Sequence, residues 1–181
     1  MQLHNGVMGV ARSRERECSG KMAMVKRTSF EDAECPVARS LDALGDWWSL
    51  LIIRDALLGI RRFSEFQKSL GCAKNILTVR LRALVDHGIL TMAPASDGSA
   101  YQEYQLTPKG RGVFPVLVAL RQWSEEFSGE TRGFATLLVD RGHGRPVRKL
   151  ELHADDGRLL RAGDTELRLN PKLKRRRSIS A

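Results

Sequence analysis

The order of the elements predicted between residues 63 and 106 constrains the fold more than any other feature of the sequence. Phe66 and Leu70 lie on one face of a short helix that ends at Gly71, and a second helix is predicted over residues 73–87. Residues 89–93 and 101–106 follow as strands, separated by a turn signal at Asp97-Gly98, and predict a β-hairpin. The segment is therefore mainly α with one hairpin, an α+β arrangement.

Helical patterns also flank this segment. Leu41 to Leu58 carry one apolar face and predict a single helix that ends at Gly59. Thr107-Pro108 begins a later helix whose apolar stripe continues to Phe127, and Pro115 is expected to kink or divide it. Ser64 and Gln67 have the spacing of a capping box. A short helix, a tight turn, a second helix and a hairpin form a winged helix-turn-helix, in which the hairpin is the wing.

Charge is distributed unevenly along the chain. The net charge is +9, and most of the excess lies in the two ends. Residues 59–82 form one basic segment, with six basic and one acidic side chain, inside an otherwise acidic middle. We predict a basic disordered leader over residues 1–30, a winged helix-turn-helix domain over 31–128, a small β appendage over 134–170 and a basic disordered tail over 171–181. The β-like stretches of the appendage are residues 135–139, 147–153 and 165–169.

The second helix of a helix-turn-helix enters the major groove of DNA, and its outward side chains contact base edges. Helical geometry places three candidates on or beside that face here, namely Asn75, Thr78 and Arg82. Asparagine pairs with adenine through two hydrogen bonds, and arginine pairs with guanine. The candidates for phosphate contact, which add affinity without sequence information, are Arg61, Arg62, Ser64, Lys68 and Lys74. The alternative is an ordinary solvated helix face, since any soluble helix carries charges outside.

Several stretches of residues 35–127 resemble the HxlR-type winged helix-turn-helix transcriptional regulators, which are relatives of the MarR group. The matching stretches are residues 35–37 (CPV), 48–55 (WSLLIIRD), 59–66 (GIRRFSEF), 77–81 (LTVRL), Leu84, 86–89 (DHGI), 104–107 (YQLT) and Trp123. The resemblance implies a homodimer that binds operator DNA and regulates transcription. The sequence departs from the family pattern at Ala73, where a capping Ser or Thr is usual, and at the wing tip, which carries no Arg or Lys.

The resemblance also implies that the first and last helices of the domain form the dimer interface. The candidate interface residues are Leu44, Trp48, Val116, Leu120, Trp123 and Phe127. The apolar stripe of the last helix is long for one small core, which agrees with a dimer seam. The alternative is that the β appendage covers the stripe instead.

Cys35 is the candidate redox residue. It stands at the start of a predicted helix, and several proteins of the family sense quinones, aldehydes or hypochlorite through a cysteine at this position. Glu31, Asp32 and Glu34 oppose a thiolate there, and the alternative is a packed cysteine with no sensing role. The spacing of the three cysteines fits neither a zinc site nor a disulfide framework, so we expect no metal.

The sequence favours a DNA-binding regulator over an enzyme. It contains no catalytic or nucleotide-binding signature, so we expect no catalytic residue and no cofactor. The expected partners are operator DNA, a second copy of the chain and an electrophile or small aromatic effector. We expect a cytoplasmic, nucleoid-associated protein, since no segment has the length of a membrane span. The alternative is a protein-interaction module on a winged-helix scaffold.

Overall fold

A computed structural model describes residues 29–129, 133–168 and 170. The chain divides into two compact units, residues 1–42 and 43–181. The predicted tail, 171–181, and nearly all of the predicted leader, 1–28, lie outside the described residues. Within the first unit, the Asp42 carboxylate accepts hydrogen bonds from the Ser29 hydroxyl at 2.9 Å and from the Phe30 backbone N–H at 3.0 Å. These two bonds tie the chain at residue 29 to the helix that contains Asp42.

The first helical segment is two helices, and the prediction of one helix over residues 41–58 was wrong. Helix α1 spans Pro36–Leu44 and helix α2 spans Trp47–Leu57. Asp46 between them is extended, and its carboxylate accepts from the backbone N–H groups of Trp48 at 2.8 Å and Ser49 at 3.3 Å. An aspartate that satisfies the free N–H groups of a helix start is a strong N-cap. The periodicity continues through Asp46, and this explains why it suggested one helix.

Helix α3 spans Phe63–Leu70, and helix α4 spans Lys74–Asp86. Gly71 ends α3 in the left-handed conformation, with φ of 63°, as its position predicted. The predicted capping box at Ser64 was wrong, because the N-cap is Arg62 and Ser64 is already helical. The Glu65 side chain closes the helix start by accepting from the backbone N–H of Arg62 at 3.0 Å and of Arg61 at 3.2 Å. Ala73 supplies no side-chain cap to α4, as expected.

The wing is an antiparallel pair of strands, β1 (Leu90–Pro94) and β2 (Gln102–Leu106), with Leu90 opposite Leu106 and Pro94 opposite Gln102. The backbone N–H of Tyr104 also donates to Arg61 C=O at 2.9 Å, so β2 is joined to the chain just before α3. The core beneath the wing takes side chains from every preceding element of the second unit. Its buried members are Ile52, Ile53, Phe66, Cys72, Leu77, Leu81, Leu84, Ile89, Leu90 and Val113.

The helix predicted to begin at Thr107-Pro108 is divided, as Pro115 suggested. Helix α5 spans Pro108–Arg111, and helix α6 spans Phe114–Phe127 with Pro115 in its first turn. The Thr107 hydroxyl caps α5 by accepting from the Gly110 N–H at 3.1 Å and itself donates to Gly88 C=O at 2.7 Å. Thr107 therefore joins the end of α4 to the start of α5.

The segment after Gly133 contains less strand than its sequence predicted. Two strands of two residues each, β3 (Leu152–His153) and β4 (Leu159–Leu160), pair around a turn at residues 155–157, and one isolated bridge joins Val139 to Pro146. The strand predicted over residues 165–169 was wrong for the described part, 165–168, which carries no strand and follows a short 3₁₀ turn at Ala162–Asp164. Most side chains here are exposed, so alternation alone did not create a sheet.

Candidate nucleic-acid interface

Helix α4 has one buried face and one exposed face. Leu77, Leu81 and Leu84 pack into the core of the second unit. Because 3.6 residues make one turn, these leucines leave Asn75 and Arg82 on the opposite side, and both are exposed. Within the part of the chain that the structure describes, neither side chain has a hydrogen bond or an ion pair. Both polar ends are thus available to a partner.

Thr78 lies at the edge of the same exposed face. Its hydroxyl donates to Lys74 C=O at 2.8 Å, one turn earlier in α4. The hydroxyl proton is therefore used within the helix, and the oxygen lone pairs remain available. Thr78 can accept a hydrogen bond from a base amino group but cannot donate one without losing its helix contact.

The predicted phosphate-contact residues fall into two sets. Ser64, Lys68 and Lys74 are exposed, and neither lysine has an ion pair within the described residues. Arg61 and Arg62 instead face acidic side chains of the wing. Arg61 Nη1 is 3.6 Å from Glu103 Oε2, and Arg62 Nε is 3.8 Å from Glu103 Oε1. The sequence did not predict this pairing, because Glu103 lies more than 30 residues further along the chain than the two arginines.

The wing acids form an anionic cluster around the start of α3. Glu103 is only 4% exposed, and Arg62 also forms an ion pair with Asp97 at the wing tip. Hydrogen bonds from Ser99 and from Arg62 hold the pKa of Asp97 below its usual range, so this carboxylate stays charged at neutral pH. The Arg62 guanidinium lies 5.9 Å from the centre of the Tyr101 ring. We call Arg61, Arg62, Asp97 and Glu103 the wing clamp.

Two cationic residues that the sequence did not single out hold α4 in place, one at its middle and one at its carboxyl end. Arg80 Nη2 lies 2.6 Å from Asp46 Oδ2, so the carboxylate that caps α2 also fixes α4. Lys109 Nζ donates to His87 C=O at 2.7 Å, at the carboxyl end of α4. Positive side chains stabilise that end of a helix. A sequence signal existed for Asp46, which follows a glycine before an apolar run, but none identified its partner.

The apolar stripe of α6 is exposed. Val116, Leu120, Trp123 and Phe127 are between 47% and 64% exposed, and the rings of Trp123 and Phe127 lie 6.0 Å apart. Leu44 and Trp48, the other predicted interface residues, are partly buried against the core, whereas Trp47 is exposed. Four apolar side chains in one stripe are a contiguous patch of the kind that partners cover.

The segment after Gly133 binds α6 on a different side from this stripe. The Gln122 side chain donates to Arg148 C=O at 2.9 Å and accepts from the Leu150 N–H at 2.8 Å. Arg121 donates to the Thr136 C=O, and Glu126 forms an ion pair with Lys149. Helical geometry separates these three side chains from the stripe. The appendage therefore leaves the stripe uncovered, against the alternative that it buries it.

Cys35 is exposed and directly precedes α1, where its C=O accepts from the Arg39 N–H at 3.1 Å. Cys72 is buried in the core. Residues 29–129, 133–168 and 170 contain no group of three or more His, Cys, Asp or Glu side chains arranged to hold a metal ion. In the same residues, no helix combines the length and apolar character that crossing a membrane requires.

The chain matches known helix-turn-helix regulators over the segment that contains α2 to α6. A family model described as HxlR-like helix-turn-helix matches residues 43–132. An uncharacterised HTH-type transcriptional regulator of Mycobacterium tuberculosis is 39% identical over 97 residues, which are 54% of this chain and 61% of that protein. Another uncharacterised HTH-type regulator, from Synechocystis, is 33% identical over 60% of this chain and 81% of its own length. The match thus spans about three fifths of the mycobacterial relative.

Two solved structures are similar to this chain over a longer part of its length. PA1607, described as a candidate transcription factor, is 53% identical, with a TM-score of 0.75 over 79% of this chain and all of that one. PA1374 of Pseudomonas aeruginosa, described in the same way, is 41% identical, with a TM-score of 0.56 over 78% of this chain and 96% of that one. Coverage of this size includes residues after 132, so part of the C-terminal segment is shared. With its α3–α4 pair, its wing and these relatives, the chain belongs to the HxlR-like helix-turn-helix family of transcriptional regulators.

Proposed function

We propose that the protein binds operator DNA as a homodimer and regulates transcription, with α4 in the major groove. One observation carries this proposal: α4 is fixed to the core through Leu77, Leu81 and Leu84, while Asn75 and Arg82 on its other face have no partner in the described chain. A helix held in this way can present its polar face to base edges without rearrangement. Lys68 and Lys74 lie close in sequence and would neutralise phosphates on either side of it.

A homodimer is supported by the α6 stripe. Val116, Leu120, Trp123 and Phe127 are exposed, and the C-terminal segment binds another side of the helix. A second copy of α6 offers a surface of the same chemistry, as a two-fold interface requires. Two copies would also present two α4 helices, which matches the two half-sites of a palindromic operator.

The DNA-binding proposal is tested by selecting duplexes from a random pool with the full chain. Binding of the selected duplex and of a scrambled duplex is then compared over 50–200 mM salt, a range in which phosphate contacts weaken strongly, by about 10³-fold or more for six contacts. We expect salt-sensitive binding with a clear preference for the selected sequence. If no sequence is enriched and no duplex is preferred, the proposal fails, and a protein partner becomes the better explanation of the scaffold.

The homodimer is tested by sedimentation of the wild type and of Leu120→Glu/Trp123→Glu. We expect a wild-type dimer and a monomeric variant, because two buried carboxylates on each side of the seam would repel and remain unsolvated. Arg141→Glu/Arg145→Glu, two exposed changes outside α6, is the matched control and should leave the mass unchanged. A wild-type monomer at micromolar concentration contradicts the homodimer and leaves the DNA-binding test intact.

The proposal also includes modulation by thiol chemistry or by a small aromatic effector. Its support is that Cys35 is exposed at the start of α1 and is therefore accessible to an electrophile. A quinone that abolishes DNA binding of the wild type but not of Cys35→Ser would support this role. Equal loss of binding in both proteins, or no loss in either, would remove Cys35 from the mechanism.

A further inference from the structure

The exposed face of α4 carries an apolar side chain between its two polar ones. Val79 is 59% exposed and lies one turn after Asn75, near the middle of the face that ends at Arg82. On a 100° helical wheel, Val79 is about 40° from Asn75 and about 60° from Arg82, so the three point in similar directions. The Val79 side chain is therefore not stabilised by burial in the core of its own chain.

An exposed valine is an unfavourable choice for a helix surface that only meets water. β-Branched side chains lose rotamer freedom in a helix, and surface positions elsewhere favour polar or straight-chain residues. The neighbours on this face, Asn75, Thr78 and Arg82, are polar. A partner that covers Val79 would explain both its exposure and its chemical type.

In the major groove, one base presents an apolar group. Thymine carries a C5-methyl group there, and small apolar side chains contact it, while cytosine, adenine and guanine carry no methyl group at the groove edge. We propose that Val79 is a specificity-determining residue that contacts a thymine C5-methyl group. This inference rests on the proposed function and names one base that the same helix recognises.

The position of Val79 also limits where this thymine lies. Residues 75, 79 and 82 are spread over about 10 Å of helix axis, at 1.5 Å per residue. Successive base pairs are about 3.4 Å apart, so the three side chains reach neighbouring base pairs of one half-site. The thymine should therefore fall between, or next to, the adenine paired with Asn75 and the guanine paired with Arg82.

The test replaces each thymine of the selected duplex in turn by deoxyuridine, which lacks only the C5-methyl group. Affinity of the full chain is measured by fluorescence anisotropy at fixed salt, for the wild type and for Val79→Ala. We expect deoxyuridine at one position per half-site to weaken wild-type binding about fourfold, the value for removing one buried methyl group. For Val79→Ala, the same replacement should change affinity by less than about 1.5-fold, well below that methyl value.

Val37→Ala is the matched control, because Val37 is another exposed helical valine and lies outside α4. It should retain the full effect of deoxyuridine at the sensitive position. Val79→Ala should fold like the wild type, since alanine favours helices and the side chain is not in the core. Circular dichroism of both variants verifies this.

Two results would overturn the inference while the proposed function stands. The first is selective DNA binding in which no deoxyuridine replacement weakens the complex. The second is a sensitive thymine whose effect persists unchanged in Val79→Ala, which would assign the methyl contact to another residue. Absence of any selected duplex would instead reject the proposed function, and the inference with it.

Discussion

The outer face of α4 and the wing are two polar surfaces of the same domain. On the first, Asn75 and Arg82 have no partner in the described chain, whereas the charges of the second are paired. In the wing clamp, Arg61 and Arg62 face Glu103, and Arg62 also pairs with Asp97. The number of cations in residues 59–82 therefore overstates how many are available to a polyanion. Availability depends on which acids the fold places opposite each cation.

Under the proposed function, this contrast favours DNA recognition by the helix over recognition by the wing. A winged helix can use basic wing residues to contact DNA beside the recognition helix, but the tip of this wing carries Asp97 and no Lys or Arg. The acids of the wing instead hold the start of α3, where the Tyr104 N–H also bonds to Arg61 C=O. The wing thus stabilises the position of α3 within the helix-turn-helix.

The largest effect is expected from substitutions on the outer face of α4, which should change the discrimination between duplexes. Arg82→Ala and Asn75→Ala should each cost about 1–3 kcal/mol of discrimination between the selected and the scrambled duplex, because each removes a two-bond contact to a base. Competition binding with both duplexes measures this. Gln102→Ala, an exposed polar change in the wing, should leave the discrimination intact. Equal losses in all three variants would mean that α4 is not the recognition helix.

Removal of Lys68 or Lys74 should have an intermediate effect of a different kind. Neither side chain is assigned to a base, so affinity for the selected and the scrambled duplex should fall together. The slope of log affinity against log salt should become shallower by about 0.9 for each phosphate that the variant no longer neutralises. A variant that changes sequence preference but not the salt slope would contradict the assignment of that lysine to phosphate.

Opening the wing clamp should have a smaller effect of the opposite sign. Asp97→Asn removes one of the two carboxylates that pair with Arg62, and the guanidinium can then meet a phosphate more readily. We expect a gain in affinity of a few fold for all duplexes, with a steeper salt slope, since an exposed ion pair is easily exchanged. Asp156→Asn removes another arginine-paired acid in the β3–β4 turn and controls for net charge. Equal gains in both variants would show that the gain in affinity comes from the change in net charge and not from Arg62.

The smallest effect concerns the start of α3. Backbone N–H groups of Arg62 and Arg61 bond to Glu65 and lower its pKa in the folded protein. Its contribution to stability is therefore complete above the unfolded pKa, about 4.3, and is lost as pH falls through the lower folded value. Between pH 5 and pH 3, the melting temperature of Glu65→Gln should fall less than that of the wild type. Glu34→Gln, at an exposed glutamate with no side-chain hydrogen bond or ion pair in the described chain, is the control for the removal of one carboxylate.

Local patterns were sufficient to predict most of the domain. The left-handed glycines at 59 and 71 end their elements where expected, and Thr107-Pro108 begins a helix. Two failures share one cause. Ser64 and Gln67 had the spacing of a cap, but Glu65 bonds to the N–H groups of the preceding arginines, and Asp46 interrupts a periodicity that continues past it. Spacing indicates which bonds are allowed, and backbone conformation decides which ones form.

By itself, the sequence determined most of the order of helices and strands, the buried faces of α3 and α4 and the residues on the outer face of α4, because helical and strand periods are local properties. Only the tertiary structure decided which charges face each other. Arg62 meets Asp97, 35 residues away, and Arg80 meets the carboxylate that caps α2. It also decided that the C-terminal segment binds α6 beside its apolar stripe. Such pairings depend on packing between distant segments, and no local period encodes them.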